Sequence, residues 1–287
     1  MDNSSQIKWL LHDATCSFNE LSDTAKLDAE LLMCHVLDCN RTYLFTWPDK
    51  TLDEAQLAEF KQVCAKRALG HPIAHIVGYR EFWSLNLKVS PSTLIPRPDT
   101  ETLVEQALLL MQEHKDKPFL GLDLGTGTGA IALSLASELK TWEWIAADFV
   151  PEAVTLAQEN AKLNQINNCK VIQSDWFENI PNTKFNLIVS NPPYIDEADP
   201  HLSQGDVRFE PLSALTAGDS GLSDIKIILS QAKQYLHEGG LVMIEHGNTQ
   251  GKEVRAIFCQ NGYSNVNTFK DLSANERITV GYFKLLG

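Results

Sequence analysis

The sequence lacks any run approaching the ~20 uninterrupted apolar residues that a membrane-spanning helix needs, so no membrane span is expected. It opens on MDNSSQIKWLL, with no basic stretch leading into an apolar core, and no secretory signal is expected there. No CxxC pair occurs: Cys16, Cys34, Cys39, Cys64, Cys169 and Cys259 are scattered along 287 residues. In a chain long enough to build its own core, isolated thiols point to a reducing, cytoplasmic setting, and their spacing offers no zinc site, so no metal is expected. Positive charge is scarce. There are 24 Lys and Arg against 37 Asp and Glu, a formal net charge of −13. Residues 1–80 carry 8 bases and 11 acids, and residues 81–287 carry 16 and 26, so both parts are acidic. Such a surface repels phosphate backbones, and no direct nucleic-acid partner is expected. Low-complexity tracts and internal repeats are absent, and 44% hydrophobic with 21% charged residues excludes disorder. What remains is one large domain, or a large domain with a smaller companion.

Residues 1–70 read as helical. Apolar side chains recur at helical spacing in Ile7, Leu10 and Leu11, and again in Leu27, Leu31, Leu32, His35 and Val36. A third helix is expected to start at a Thr51-x-x-Glu54 capping box and to stop at Gly70. A helical domain over 1–75 follows, then a hairpin linker over 76–98, in which Glu81–Val89 alternates and Pro91, Pro96 and Pro98 punctuate. A helix begins near Asp99 or Thr100, burying Leu103, Val104, Ala107 and Leu108. From residue 119 the pattern alternates. Strands are expected at Phe119–Leu124, Trp142–Ala147, Lys170–Gln173, Phe185–Val189 and Leu241–Glu245. Helices are expected at Ala130–Leu139, Pro151–Leu163, Leu222–Leu236 (stopped by Gly239 and Gly240) and Thr249–Cys259. Two strand-like segments, Tyr263–Phe269 and Ile278–Leu285, close the chain. Strands alternating with helices predict an α/β domain over 99–287 with a mostly parallel sheet covered on both faces.

The first candidate site is Gly125-Thr126-Gly127-Thr128-Gly129, between the first of these strands and its helix. Glycines let the backbone turn sharply and approach a ligand, and the helix N-terminus offers free amides. Asp148, 19 residues past Gly129 at the next strand end, is placed to accept from both hydroxyls of a ribose. Gly125-x-Gly127-x-x-Ala130 also satisfies the dinucleotide fingerprint, so the loop alone leaves a nicotinamide cofactor and S-adenosylmethionine both open, beside a ligand-free tight turn. After the third strand, Asp175 suits an adenine amino group and Trp176 suits either the adenine ring or the core.

The second candidate site is Asn191-Pro192-Pro193-Tyr194, at the end of the fourth strand and in the same crevice. Prolines have no N–H, so the segment offers acceptors with few competing donors. The Asn191 side-chain oxygen and the Pro192 carbonyl suit the two hydrogens of a planar –NH2 group, and Tyr194 suits stacking on that plane. An amide or adenine nitrogen is a weak nucleophile because its lone pair is delocalised. Two acceptors raise its electron density and aim it at a sulfonium methyl, with rate coming from orientation and fixed dipoles. The motif names no base for the proton; water is one acceptor. With the glycine loop upstream, this –NH2 clamp decides against a dehydrogenase.

These residues resemble a class I S-adenosylmethionine-dependent methyltransferase acting on a planar nitrogen. Pro72–Gly78 (PIAHIVG), Arg80–Trp83 (REFW), Leu94–Glu101 (LIPRPDTE), Asn191–Glu197 (NPPYIDE) and Gly205–Pro211 (GDVRFEP) are similar to the HemK/PrmC family, the glutamine-N5 methyltransferases of peptide chain release factors. The resemblance covers nearly the whole chain, in general character only over 1–70. It implies a Rossmann-like, seven-stranded domain with an antiparallel last strand. It also implies S-adenosyl-L-methionine as methyl donor, with S-adenosyl-L-homocysteine as product, and the glutamine of the Gly-Gly-Gln motif of class 1 release factors as acceptor. Gly125, Thr126, Gly127, Thr128, Gly129, Asp148, Trp176 and Asn191 are then implied to hold the cofactor. Asn191, Pro192, Pro193 and Tyr194 are implied to hold the glutamine amide, with Asn191, Pro192 and Tyr194 catalytic. The helical domain is implied to help dock the release factor.

Two rivals stand beside this reading: an adenine-N6 methyltransferase of DNA or RNA, opposed by the acidic balance, and an inactive binding module, opposed by the intact Asn191 and glycine loop. Pro72 between His71 and His75 favours a structural role over a metal pair. His246 at a strand end is expected to be a hydrogen-bonded histidine rather than a base. Asp206, Arg208 and Glu210 are expected to form a loop ion network or a lid after Tyr194. Arg97 is expected to anchor the linker.

Overall fold

The computed structural model describes residues 5–203 and 205–284. They fall into two compact units, one drawn from Met1–Tyr79 and Pro200–Phe209, the other from Arg80–Asp199 and Glu210–Gly287.

The first unit is helical: α1 (Ile7–Phe18), α2 (Ala25–Leu37), α3 (Arg41–Thr46), α4 (Glu54–Ala68) and α5 (Ile73–Val77). In α1, Ile7, Leu10, Ala14 and Phe18 are buried, one stripe at helical spacing. The buried face of α2 is rotated from the expected one. It consists of Ala25, Asp28, Ala29, Glu30, Leu32 and Met33, while Leu27 and Leu31 are half-buried and His35 is exposed. The cause is a charged residue facing inward. Asp28 Oδ2 accepts from Arg67 Nε at 2.9 Å and Nη2 at 2.8 Å, and both side chains are 7% exposed. Arg67 Nη1 also reaches the His71 carbonyl and Asp206 Oδ1, each at 3.1 Å, which fastens the 200–209 turns to the helices. The start of α4 also departs from expectation. Asp53 Oδ1 accepts from Gln56 N at 2.8 Å and Gln56 Oε1 accepts from Asp53 N at 3.1 Å. Two overlapping capping patterns compete here, and Thr51 pairs instead with Gln6, leaving the later one to form the cap.

The second unit opens with a hairpin, β1 (Tyr79–Phe82) and β2 (Leu85–Lys88). From Arg80 this segment is part of the second unit rather than a linker. Phe82, Leu85 and Leu87 are buried in the core of that unit. Asn160 Oδ1 accepts from Lys88 N at 2.7 Å, and Asn160 Nδ2 donates to Lys88 O at 3.0 Å. Asn164 makes the same pair of bonds with Asn86, so two asparagines one helical turn apart satisfy the open edge of β2. After a 3₁₀ turn at Pro98–Thr100 comes α6 (Glu101–Leu110).

Strands β3 (Leu120–Leu124), β4 (Glu143–Asp148), β5 (Cys169–Gln173), β6 (Phe185–Ser190), β7 (Leu236–Glu245), β8 (Tyr263–Lys270) and β9 (Glu276–Phe283) form one sheet, ordered β5-β4-β3-β6-β7-β9-β8. The first five are parallel, and β9 runs antiparallel to β7 and β8. The connecting helices are α7 (Ala130–Glu138), α8 (Pro151–Leu163), α9 (Gly218–Gly221), α10 (Ser223–Ala232) and α11 (Gly251–Gln260). Strand residues alternate between two cores: Leu187, Val189, Leu241 and Met243 pack with α6 and α7, while Ile188, Val242 and Ile244 pack with α10 and α11. The helix expected over Leu222–Leu236 ends at Ala232. Gly239 and Gly240 do not stop a helix; they lie in β7, where Leu236 pairs with Phe185 and Leu241 with Leu187, leaving a bulge between. Leu285, expected in the last strand, lies outside the described residues.

Breaking the buried ion pair leaves Asp28 without its counter-charge. Arg67→Met should therefore destabilise the chain by about 3 kcal/mol, lowering the urea midpoint. A midpoint equal to that of the wild type would remove the pair from the forces that hold the helical unit.

Candidate active site

The strand order reverses between β3 and β6, and the residues following the parallel strands line the crevice at that switch point. A cavity of about 270 Å³ occupies it, lined among others by Gly125, Gly127, Asp148, Trp176 and Asn191.

The glycine loop follows β3. Gly125, Gly127 and Gly129 have φ of +69°, +56° and +86°, a left-handed region costly for residues with a Cβ. A Cβ on Gly127 would find only Thr93, at 4.0 Å, so the space over the loop is open to a ligand. The loop is held from below. Thr126 N donates to Ala147 O at 3.0 Å, Thr126 Oγ1 to Asp123 Oδ2 at 2.6 Å, and Asn160 Nδ2 to Thr128 O at 2.9 Å. Asp148 ends β4. Its Oδ2 accepts from Gly127 N at 2.8 Å and its Oδ1 from Val150 N at 2.9 Å, which ties the acid to the loop. Burial raises its carboxyl above its ordinary value, against the pull of these amides.

Beyond β5, Trp176 has φ of +41°, a strained conformation for an indole-bearing residue. Its ring lies 3.6 Å from where a Gly125 Cβ would sit, lines the cavity and packs on the second core. Asp175 lines the same end, joined by Asp224 of α10; burial and the Asp175 charge raise the Asp224 carboxyl.

After β6, Asn191 and Pro193 line the cavity, and Pro192 is buried. Asn191 Nδ2 donates to Thr100 Oγ1 at 3.3 Å. Among the described residues, Asn191 Oδ1 and the Pro192 carbonyl accept no hydrogen bond. Tyr194 is not among the residues lining the cavity. Its carbonyl accepts from Gln250 Nε2 at 3.0 Å, and its hydroxyl, pushed up by burial, feels the charges of Glu245, Arg277, Arg97 and Asp99.

Sequence reasoning passed over three groups. Asp123 is fully buried beneath the glycine loop. Its Oδ2 accepts from Thr126 Oγ1 and from Ala132 N at 3.2 Å, its Oδ1 has no partner among the described residues, and burial pushes its carboxyl up to about 7. Thr100 and Glu245 stand behind Asn191. Glu245 ends β7, a position that the strand-end rule marks as facing the crevice. His246 next to it is hydrogen-bonded as expected. Nδ1 donates to the Gly247 carbonyl at 2.9 Å, which fixes the tautomer, so Nε2 accepts from Thr279 Oγ1 at 2.8 Å. Asp206, Arg208 and Glu210, expected as a loop ion network or a lid, each bond a different residue among those described. Asp206 pairs with Arg67, Arg208 Nε donates to the Gly205 carbonyl, and Glu210 is buried on Arg97 Nη2 at 2.7 Å. His71 packs its ring against Phe209. Among the described residues no group of three or more His, Cys, Asp or Glu is arranged to hold a metal, and no helix is long and apolar enough to cross a membrane.

Residues 10–78 match the PrmC N-terminal domain and residues 102–206 the methyltransferase small domain. The release factor glutamine methyltransferase of Vibrio cholerae is 54% identical, over 92% of this chain and 91% of its own length. That of Aliivibrio fischeri is 53% identical over 91% and 92%. The chain belongs to the release factor glutamine methyltransferase family. The Escherichia coli protein of that name is 51% identical over 92% of this chain and 94% of its own. Solved structures share the fold of this family member at lower identity. A methyltransferase from Pyrococcus furiosus has a TM-score of 0.53 at 19% identity, over 70% of this chain and 90% of its own. The hMettl16 catalytic domain in complex with MAT2A 3′UTR hairpin 6 has 0.58 at 19%, over 82% and 94%. The fold is the Rossmann-like one of class I methyltransferases, with a helical N-terminal part.

Asp123 makes this family member's stability pH-dependent. Between its ordinary 3.8 and about 7 the folded chain keeps a proton that the unfolded chain has released, so stability falls as pH rises through that window. Asp123→Asn keeps an acceptor for Thr126 and Ala132 and removes the titration. Denaturation across the window should show the variant gaining on the wild type by up to about 1 kcal/mol per pH unit. Parallel curves would show that Asp123 titrates near its ordinary value.

Proposed function

We propose that this chain transfers a methyl group from S-adenosylmethionine to the side-chain amide nitrogen, N5, of the glutamine in the Gly-Gly-Gln motif of class 1 peptide chain release factors. The observation that carries this reading is Asn191, which lines a glycine-cradled cavity with its Oδ1 unengaged and the unengaged carbonyl of Pro192 next to it in the chain, in a chain half identical over nine-tenths of its length to release factor glutamine methyltransferases.

The cavity fits the cofactor by its own chemistry. The glycine loop leaves room for close approach of a ligand, Asp148 accepts from the ribose hydroxyls, and Trp176 covers the adenine ring whose amino group finds acceptors at Asp175 and Asp224. S-adenosylmethionine, when bound, supplies a methyl group already activated on a sulfonium. Asn191 Oδ1 and the Pro192 carbonyl accept the two N–H hydrogens of the glutamine amide. They hold the nitrogen lone pair in line, and these fixed dipoles stabilise the positive charge that develops there until one N–H proton passes to water. Pro192 is buried and Asn191 is held by Thr100, so neither acceptor has to be ordered at the moment of reaction. The clamp is braced from its far end, where Gln250 Nε2 donates to the Tyr194 carbonyl. The helical unit helps dock the release factor. The net charge of −13 suits a protein acceptor rather than a phosphate backbone, and a cytoplasmic setting suits a chain whose substrate serves translation.

The decisive experiment offers the enzyme and S-adenosylmethionine an unmethylated release factor and, separately, adenine-containing DNA and RNA. Mass spectrometry should find a gain of one CH2 on the Gly-Gly-Gln peptide; methyl on adenine instead would overturn the protein-substrate assignment. Asn191→Ala should lower kcat roughly a hundredfold or more with the fold retained by circular dichroism. Trp176→Ala should weaken cofactor binding about tenfold by calorimetry. Full activity in the first variant would remove Asn191 from the clamp.

A further inference from the structure

Glu245 is 1% exposed, and nothing in the methyl transfer derived above uses it. Its Oε1 accepts from Thr100 Oγ1 at 3.2 Å, while Oε2 has no hydrogen-bond partner among the described residues. Thr100 is itself buried, and its Oγ1 also meets Asn191 Nδ2 at 3.3 Å. The three side chains thus form a line from β7, through the turn before α6, to the residue after β6.

A hydroxyl carries one proton. An ionised carboxylate only accepts, so the Thr100 proton goes to Glu245 and lone pairs face Asn191. Asn191 must then turn its NH2 inward, which leaves Oδ1 facing the substrate amide. We propose that ionised Glu245, acting through Thr100, is the positioning residue that sets the orientation of the Asn191 amide and makes the clamp an acceptor. This rests on the glutamine-methyltransferase reading above. A protonated Glu245 reverses the line. It donates to Thr100, Thr100 donates to Asn191 Oδ1, and the rotated amide presents its NH2 to the NH2 of the substrate, donor against donor.

The orientation is therefore pH-dependent. The groups facing Glu245 are Arg277 from β9, Asp99 from the turn before α6, Tyr194 from the loop after β6, and Asn191. Burial pushes the carboxyl up to about 7; Thr100, Arg277 and Asn191 draw it down and Asp99 adds to the rise. Above that pH Glu245 is ionised and the clamp accepts. Below it the clamp loses its orientation and kcat falls.

The test uses the full chain with an unmethylated release factor. In the wild type kcat should have an acid limb with a midpoint near 7. Glu245→Gln offers both donor and acceptor to Thr100, so kcat should fall about tenfold or more and the acid limb should vanish, while cofactor affinity stays that of the wild type. Thr100→Val should behave like Glu245→Gln, and Thr100→Ser should restore both rate and limb. A second readout needs no acceptor. The Asn191 side-chain amide resonance of 15N-labelled protein, assigned by its loss in Asn191→Ala, should shift with the same midpoint in the wild type and stay constant in Glu245→Gln. Wild-type kcat and an unchanged acid limb in Glu245→Gln, or a resonance that ignores Glu245, would overturn the positioning role while leaving glutamine methylation in place. A wild type that methylates no glutamine would overturn the activity, and the resonance would still decide the orientation.

Discussion

Parallel strands cannot be joined by tight turns, so each must return through a crossover, and every carboxyl end then falls on the same edge of the sheet. That constraint organises the second unit. Five parallel strands, β5-β4-β3-β6-β7, end at Gln173, Asp148, Leu124, Ser190 and Glu245. Each is ended, or followed within two residues, by a polar or glycine residue of the site. Residues 125, 148, 176, 191 and 245 are far apart in the chain. They become neighbours because the alternating apolar residues of these strands are buried on both faces, which fixes their register.

On this edge the chain places carboxylates where water is scarce. Asp123 and Glu245 are buried, and Asp148 is held by two backbone amides. A buried acid weakens the fold unless its neighbours compensate. Asp123 accepts from Thr126 and Ala132, shaping the loop from beneath, and Glu245 accepts from Thr100, directly behind Asn191. Acids set under functional groups fix which way donors point. That matters most for an amide clamp, whose two ends differ only in hydrogen-bonding sense. The helical unit follows the same rule for a structural end: Arg67 is buried because it satisfies Asp28, Asp206 and the His71 carbonyl together.

Local patterns carried much of this molecule. The α/β alternation, the glycine loop and Asn191–Tyr194 are short-range features whose physics acts within a few residues, and the strands and helices around them appear within a few residues of the expected bounds. Expectation failed where a distant partner overrode local preference. The face of α2 turned toward Arg67, 39 residues away. The cap of α4 moved to Asp53 because Thr51 pairs with Gln6. The hairpin joined the second unit because Asn160 and Asn164 complete its edge, and Gly239 and Gly240 became a bulge because β7 pairs with β6 on both sides of them.

By itself the sequence determined the fold class, the glycine turn and the residue types of the two ligand segments, because backbone conformation and side-chain chemistry are properties of adjacent residues. Only the tertiary structure decided which acids stand behind those segments. Thr100, Asn191 and Glu245 belong to three elements, separated by 91 and 54 positions, and no periodicity links them. Their contact exists because the sheet stacks its strand ends side by side, and the charge on Glu245 then sets the sense of each hydrogen bond between them.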